Sequence, residues 1–383
     1  MVLQPGQARL RVARKKAQAH PGVHPLSALS DNKFEPLPDP LGLPPYHYDL
    51  ETALPGISSE SAKLGSLTFH AVGDTGGVKD ADYQAMVAAQ MKEDLNLAGA
   101  ARPKFFYHLG DVVYYNGEVA DYYDQFYEPY DHYDAPIIAI PGNHDGDPVN
   151  ADQTSLDGWV RYFMTPKPQI DPISGDAPRV TLSLPNVYFT LNCPLVTIIG
   201  MYTNVPEGGS IDSIQQQWLT NEFDKAPEDK ALILALHHPI YSFDDHHSGS
   251  AAMADAVQHA INDSRRLPNI VLTAHVHNYQ RIEKEIDGIT IPFLVAGHGG
   301  YYHRHGITAD VGTVDEELGA KLQFHDQYHH GYVTLTVDAK EIKVNMTPIA
   351  ETGSSKHKHD ATPDSATYTA KLLKLPDGSV ASL

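Results

Sequence analysis

Five short apolar runs, at residues 67–72, 105–109, 137–140, 231–236 and 270–274, each break off into a polar string. The strings are Gly73-Asp74, Gly110-Asp111-Val112-Val113-Tyr114, Gly142-Asn143-His144-Asp145, His237-His238-Pro239 and His275-Val276-His277. Short apolar runs bounded by turn formers predict buried strands. In open α/β sheets, ligand groups collect just beyond the carboxyl ends of the strands. The five strings therefore predict one polar edge, and Gly73, Gly110 and Gly142 let the backbone leave the sheet at once.

The rest of the chain fits layers of strands and helices. Helices are predicted over 79–95, 211–226 and 251–261; in the second, Ile211, Ile214 and Trp218 share a face, with Leu219 and Phe223 further round. Further strands are predicted at 187–191, 195–201, 291–296, 332–337 and 342–346, so the later portion is strand-rich and more antiparallel. The predicted division is a Pro-rich N-terminal arm (1–60), a main domain (61–350) and a C-terminal linker with a hairpin around Pro376-Asp377-Gly378 (351–383). The arm includes Glu35-Pro36-Leu37-Pro38-Asp39-Pro40, a stretch that no long helix or central strand tolerates.

Charge narrows the partners. The net charge of −20, from 28 basic and 48 acidic residues, argues against a general nucleic-acid binder. An acidic protein that handles anions has to concentrate positive potential locally, and bound metals do that. No apolar stretch approaches membrane-span length. Cys193, the one cysteine, excludes a disulfide framework within the chain and sits in an apolar stretch, as a small buried hydrophobe would. The basic N-terminus is followed by no apolar run of signal length, so the expected compartment is the cytoplasm, or outside it if a precursor signal has been removed. Nothing in the sequence bears on oligomeric state.

The five strings carry oxygen and imidazole groups enough for two metal ions side by side. His275 and His277, on alternate positions, point the same way from an extended segment. Two close metals clamp the attacking and leaving oxygens of a phosphoryl transfer.

In these motifs the chain resembles the calcineurin-like metallophosphoesterase superfamily, and within it the purple acid phosphatases. The resemblance runs over about residues 67–300 and includes the turn Gly297-His298-Gly299-Gly300. Most of the superfamily begin with Asp-x-His. Here Asp74-Thr75-Gly76 lacks that imidazole, while Tyr114 stands three residues after Asp111. Purple acid phosphatases share both changes. Aromatic packing beside Tyr115, Tyr122 and Tyr123 is the other reading of Tyr114.

The resemblance implies a four-layer α/β/β/α sandwich and a ligand set. Asp74, Tyr114 and His277 would hold the first metal, Asn143, His237 and His275 the second, with Asp111 bridging. His237 is chosen over His238 because the family pattern is His-x-Pro and Pro239 sets the register. Three anionic ligands would leave a ferric–divalent pair near about +2, so Fe(III) is expected at the first site with Zn, Mn or Fe at the second. The implied activity is hydrolysis of phosphate monoesters on small phosphorylated substrates, by a metal-bound hydroxide attacking phosphorus.

His144 would hold the phosphate or help protonate the leaving group, and His246 and His247 would be proton donors. The latter pair also reads as a polar surface loop. His303 and His305 are weaker candidates, and His325, His329 and His330 read as local polar structure. A phosphodiesterase or nucleotide-cleaving enzyme is the alternative, and a non-catalytic scaffold a further one. A protein Ser/Thr phosphatase is disfavoured, since no Asp-Arg-Gly continuation follows Asp111.

Overall fold

The computed structural model describes residues 33–148, 153–350 and 359–383. Most of the predicted arm and much of the predicted linker lie outside the described residues. The chain enters through β1 (His47–Asp49), α1 (Leu50–Ala53) and α2 (Ile57–Leu64). Then come β2 (Ser66–Val72), α3 (Ala81–Asp94), β3 (Phe106–His108), β4 (Ile137–Ala139), α4 (Asn143–Gly146) and α5 (Asp157–Phe163). The middle comprises β5 (Phe189–Asn192), β6 (Val196–Gly200), α6 (Ser213–Lys225), β7 (Ala231–Ala235), α7 (Ala251–Ser264), β8 (Arg266–Leu267) and β9 (Ile270–Thr273). The remaining strands are β10 (Tyr279–Ile286), β11 (Ile289–Ala296), β12 (Ala320–Asp326), β13 (His330–Asp338), β14 (Glu341–Ile349), β15 (Asp364–Thr369) and β16 (Leu373–Lys374).

Two large sheets result, an eight-stranded one ordered β1-β5-β6-β7-β9-β11-β10-β12 and a six-stranded one ordered β15-β14-β13-β2-β3-β4. The sheets meet face to face. A methyl built on Gly200 of β6 would lie 2.4 Å from Tyr107 Oη on β3 and 2.7 Å from Ile140 just past β4. Helix α3 packs on β13 and β14 of the six-stranded sheet, and α6 packs against α7. β2, β3, β4, β6, β7 and β9 are buried along their whole length, which is why they read as nearly continuous apolar runs. The mixed α/β layers agree with the expected fold class.

The single polar edge is corrected in one respect. β2, β3 and β4 belong to one sheet, and β7 and β9 to the other. The candidate residues gather because the carboxyl ends of both sheets meet: a methyl on Gly73 would lie 2.5 Å from Ala274 Cβ.

The α6 face is also corrected. Asp212 caps the helix by accepting from Gln215 N at 2.7 Å, and that phase buries Gln215, Trp218, Leu219, Glu222 and Phe223. Ile214 is left 67% exposed. Two polar members of the stripe are satisfied: Gln215 accepts from Tyr202 N at 3.0 Å, and Glu222 accepts from Thr190 Oγ1 at 2.6 Å.

The expected C-terminal hairpin does not form. β15 pairs with β14 at the edge of the six-stranded sheet, and β16 pairs with β8. Sequence reading passed over β10 because Arg281, Glu283, Lys284 and Glu285 interrupt its apolar residues. A signal was present: Asp287-Gly288, with φ 48 and 77, forms the tight turn joining β10 to β11. The N-terminal segment is tied down where Trp218 Nε1 donates to Pro45 O at 2.7 Å. Cys193 is buried, and burial pushes its thiol up. Among the described residues no helix is long and apolar enough to cross a membrane.

Candidate metal centre

The seven candidate ligands converge where the two sheets meet, in two groups beside Asp111. In the first, Tyr114 Oη donates to Asp74 Oδ1 at 3.0 Å, and His277 Nε2 lies 3.4 Å from Tyr114 Oη and 3.6 Å from Asp74 Oδ1. In the second, Asn143 Oδ1 lies 3.1 Å from His237 Nε2 and 3.0 Å from His275 Nδ1. Asp111 Oδ2 is 3.4 Å from His237 Nε2, and one ligand atom each of Asp111, His237 and His275 fall within 4.8 Å of one another.

His237 and His277 each have one nitrogen tied off and the other turned inward. His237 Nδ1 sits 2.9 Å from Leu109 O, and His277 Nδ1 sits 2.8 Å from His303 O. A carbonyl only accepts, so both rings carry a proton on Nδ1 and turn Nε2 into the site. His275 faces the other way, with Nε2 3.7 Å from Glu207 Oε1 and Nδ1 directed at Asn143. Outer partners such as the Leu109 and His303 carbonyls fix the tautomer of metal-ligating histidines. His238 turns aside, its Nδ1 2.6 Å from Thr203 Oγ1.

Close packing of backbone makes the gathering possible. Asp74, Asp111 and His275 all have left-handed backbones, with φ 54, 53 and 65, which side-chain-bearing residues seldom adopt. Gly142 has no alternative: a methyl there would lie 2.1 Å from Asp111 Oδ1. Asp145 clamps the turn, accepting from Gly142 N at 2.8 Å, Val112 N at 3.0 Å and Val113 N at 3.1 Å. It stands in the motif around Asn143 and was given no role from sequence, although an acid three residues after a turn glycine is a recognised helix-start pattern. Asp145→Ala strands three buried amide donors and is expected to cost about 3 kcal/mol or more in denaturant unfolding of the metal-free protein. A loss below about 1 kcal/mol would show that these amides find other partners.

The electrostatics call for a cation. Burial, and the nearby Asp111 charge, push the Asp74 carboxyl well up. Burial also opposes ionisation of Asp111, but His237 and His144 outweigh it and hold that carboxyl well below its usual range. Burial, Asp111 and Asp74 push the Tyr114 phenol far up. Burial alone would lower His237, yet Asp111 and Asp74 raise it to about 9. Burial lowers His275 to about 4 and holds His277 well down, so both are neutral and able to donate lone pairs. Asp111 Oδ2 and His275 Nε2 are buried and accept or donate no hydrogen bond. Two buried carboxylates, a phenol, an amide oxygen and three imidazoles form a donor set suited to hard and borderline metal ions.

The proposed proton handlers separate. His144 N donates to Asp111 Oδ1 at 2.9 Å, and its Nδ1 lies 2.7 Å from Tyr115 O, leaving Nε2 for the pocket. His247 lines the pocket, with Nδ1 2.8 Å from Glu207 Oε1, and this carboxylate raises its pKa. His246 is exposed and does not line the pocket, its ring 4.9 Å from that of His305. His303 and His305 also line the pocket, whereas His329 is tied to Asp326 at 2.9 Å and belongs to local structure. Sequence reading missed Glu207 and Tyr301, both pocket-lining, because they sit in loops without periodicity.

Residues 67–279 match the calcineurin-like phosphoesterase family. Tartrate-resistant acid phosphatase type 5 of Rattus norvegicus is 26% identical over 327 residues, 80% of this chain and 93% of that one. In fold, the chain is similar to purple acid phosphatase PPD1 from yellow lupin, with TM-score 0.56 and 17% identity over 79% of this chain. The chain spans about half (53%) of that enzyme's length. It is also similar to GAP50, the anchor in the inner membrane complex of Plasmodium, with TM-score 0.55 and 15% identity over 81% of this chain and 90% of that one.

Proposed function

The chain belongs to the calcineurin-like phosphoesterase family, and from that premise we propose that it is a dimetal-dependent hydrolase of phosphate monoesters of the purple acid type. One observation carries the proposal: seven oxygen- and nitrogen-bearing side chains gather where the two sheets meet, Asp74, Tyr114 and His277 in one group and Asp111, Asn143, His237 and His275 in the other. Asp74, Tyr114 and His277 would hold iron, Asn143, His237 and His275 would hold zinc, manganese or iron, and Asp111 would serve both. When bound, such a pair neutralises phosphate charge and makes water acidic enough to ionise near neutral pH.

The protein's own groups do the rest. His144 presents Nε2 to a phosphate oxygen, its ring oriented by the Tyr115 carbonyl. His247, oriented through Nδ1 by Glu207, presents an Nε2 proton to the departing alkoxide. His246 has no such placement, so His247 is the donor of the pair. Buried walls around Asp111 and Asn143 exclude bulk water and strengthen every one of these contacts.

The reading is tested with p-nitrophenyl phosphate and bis-p-nitrophenyl phosphate at matched metal loading. We expect kcat/KM for the monoester to exceed that for the diester by about tenfold or more. The reverse ratio would make the chain a phosphodiesterase on the same centre.

A further inference from the structure

Tyr114 lies beyond β3, in a stretch of chain that is neither helix nor strand. One side chain holds its backbone. Gln125 Oε1 accepts from Tyr114 N at 2.8 Å, and Gln125 Nε2 donates to Tyr114 O at 2.6 Å. The amide thus closes both backbone groups of a single residue, as a partner residue does across an antiparallel pair. Both residues are buried.

Gln125 is itself held. It stands in a single π-helical turn, Tyr123–Tyr127, a rare geometry that recurs at functional sites. Its carbonyl accepts from Nε2 of Gln84, a buried residue of α3, at 2.6 Å. Gly76 makes the room. A methyl there would lie 2.4 Å from Tyr114 Cδ2 and 2.5 Å from Gln125 Oε1, so a larger residue would displace the ring or the amide that holds it. Tyr301 stacks on the ring with 4.2 Å between centroids. Tyr114 Oη then comes to rest 3.0 Å from Asp74 Oδ1.

We propose that Gln125 is a positioning residue for the first metal group: it fixes the Tyr114 backbone so that the phenol oxygen meets Asp74 and His277. The inference rests on the reading of Tyr114 as a metal ligand. Loss of an outer partner of a ligand commonly costs about tenfold to a hundredfold in metal affinity. A residue that only filled space would cost stability, with no preference for one metal-binding step over the other.

The test is anaerobic binding of Fe(II) to the metal-free full chain, followed by calorimetry, in wild type, Tyr114→Phe, Gln125→Met and the double variant. Methionine keeps the length of the side chain and removes both amide hydrogen bonds. Circular dichroism checks each fold. Gln125→Asn, whose amide is one methylene too short to make both bonds, takes over if methionine is not tolerated. We expect Gln125→Met to weaken by about tenfold the step that Tyr114→Phe weakens, and to leave the other step unchanged. Residues that act through one another give non-additive changes, so the double variant should match Tyr114→Phe within about twofold. In the oxidised, iron-loaded protein, Gln125→Met should also shift or weaken the tyrosinate-to-iron band. Wild-type affinity and an unaltered band in Gln125→Met overturn the proposal, as does an equal loss of affinity with and without the Tyr114 hydroxyl. Wild-type affinity in Tyr114→Phe overturns it too, since no ligand is then left to position. A colourless, iron-loaded wild type sinks the purple acid reading alone, because the four affinities still decide the role of Gln125.

Discussion

Asp111→Asn is expected to abolish phosphoester hydrolysis, by about 10³-fold or more in kcat, while leaving a folded protein. Asparagine keeps the Oδ1 acceptor that holds His144 N at 2.9 Å, so the turn at Asn143 retains its support. What disappears is the negative charge at Oδ2, the buried oxygen that lies 3.4 Å from His237 Nε2 and accepts no hydrogen bond of its own. The variant is checked by circular dichroism, by metal content and by the rise in melting temperature on adding metal. Ligands that bind the native state stabilise it by about 2.7 kcal/mol at a hundred times their Kd. That gain should shrink in Asp111→Asn together with the activity. Retention of activity within about tenfold of wild type would mean that the shared position is not where catalysis depends on charge.

Tyr114→Phe is expected to remove the visible colour of the oxidised, iron-loaded protein. Burial and the neighbouring Asp111 and Asp74 charges keep this phenol protonated in the protein alone, where it donates to Asp74 at 3.0 Å. Its ionisation therefore requires a cation close to the oxygen, and iron loading should release a proton as the tyrosinate-to-iron absorption band grows. Phenylalanine keeps the packing against Tyr301, whose ring centroid lies 4.2 Å away, so the loss of colour is not a loss of fold. The measurement is an absorption spectrum taken with the iron held oxidised, since full reduction bleaches the band. Persistence of the band in Tyr114→Phe would assign it to another residue. A colourless, fully iron-loaded wild type would remove the purple acid assignment and leave a dimetal phosphoesterase of another kind.

Much of this centre was legible in local chain chemistry. Asp74, Asp111, Asn143, His237 and His275 each follow an apolar run, and the strand ends deliver them where such runs must stop. The alternation of His275 and His277 predicts an extended segment, but His275 has φ 65 and residues 275–278 bend, so the two imidazoles reach the site from a turned backbone. Other parts were not legible. His246 and His247 are adjacent and chemically identical in sequence, yet one is exposed and the other lines the pocket beside Glu207. Ile214 looked like a core residue until the Asp212 cap set the phase of α6 and turned it outward. Asp145 offered only its identity as an acid after a turn, not the three amides that it satisfies.

Sequence by itself determined the α/β alternation, the strand ends and the chemical kinds of group those ends present. These depend on residues close together along the chain, where turn propensity and apolar spacing act directly. Tertiary structure alone decided that the five strand ends come from two sheets, which nitrogen of each histidine faces inward, and that Glu207 stands over the centre. Those features depend on burial of the two sheets against each other and on partners as remote as Leu109 for His237 and His303 for His277. No periodicity within a segment records which distant carbonyl will meet an imidazole once the sheets have closed.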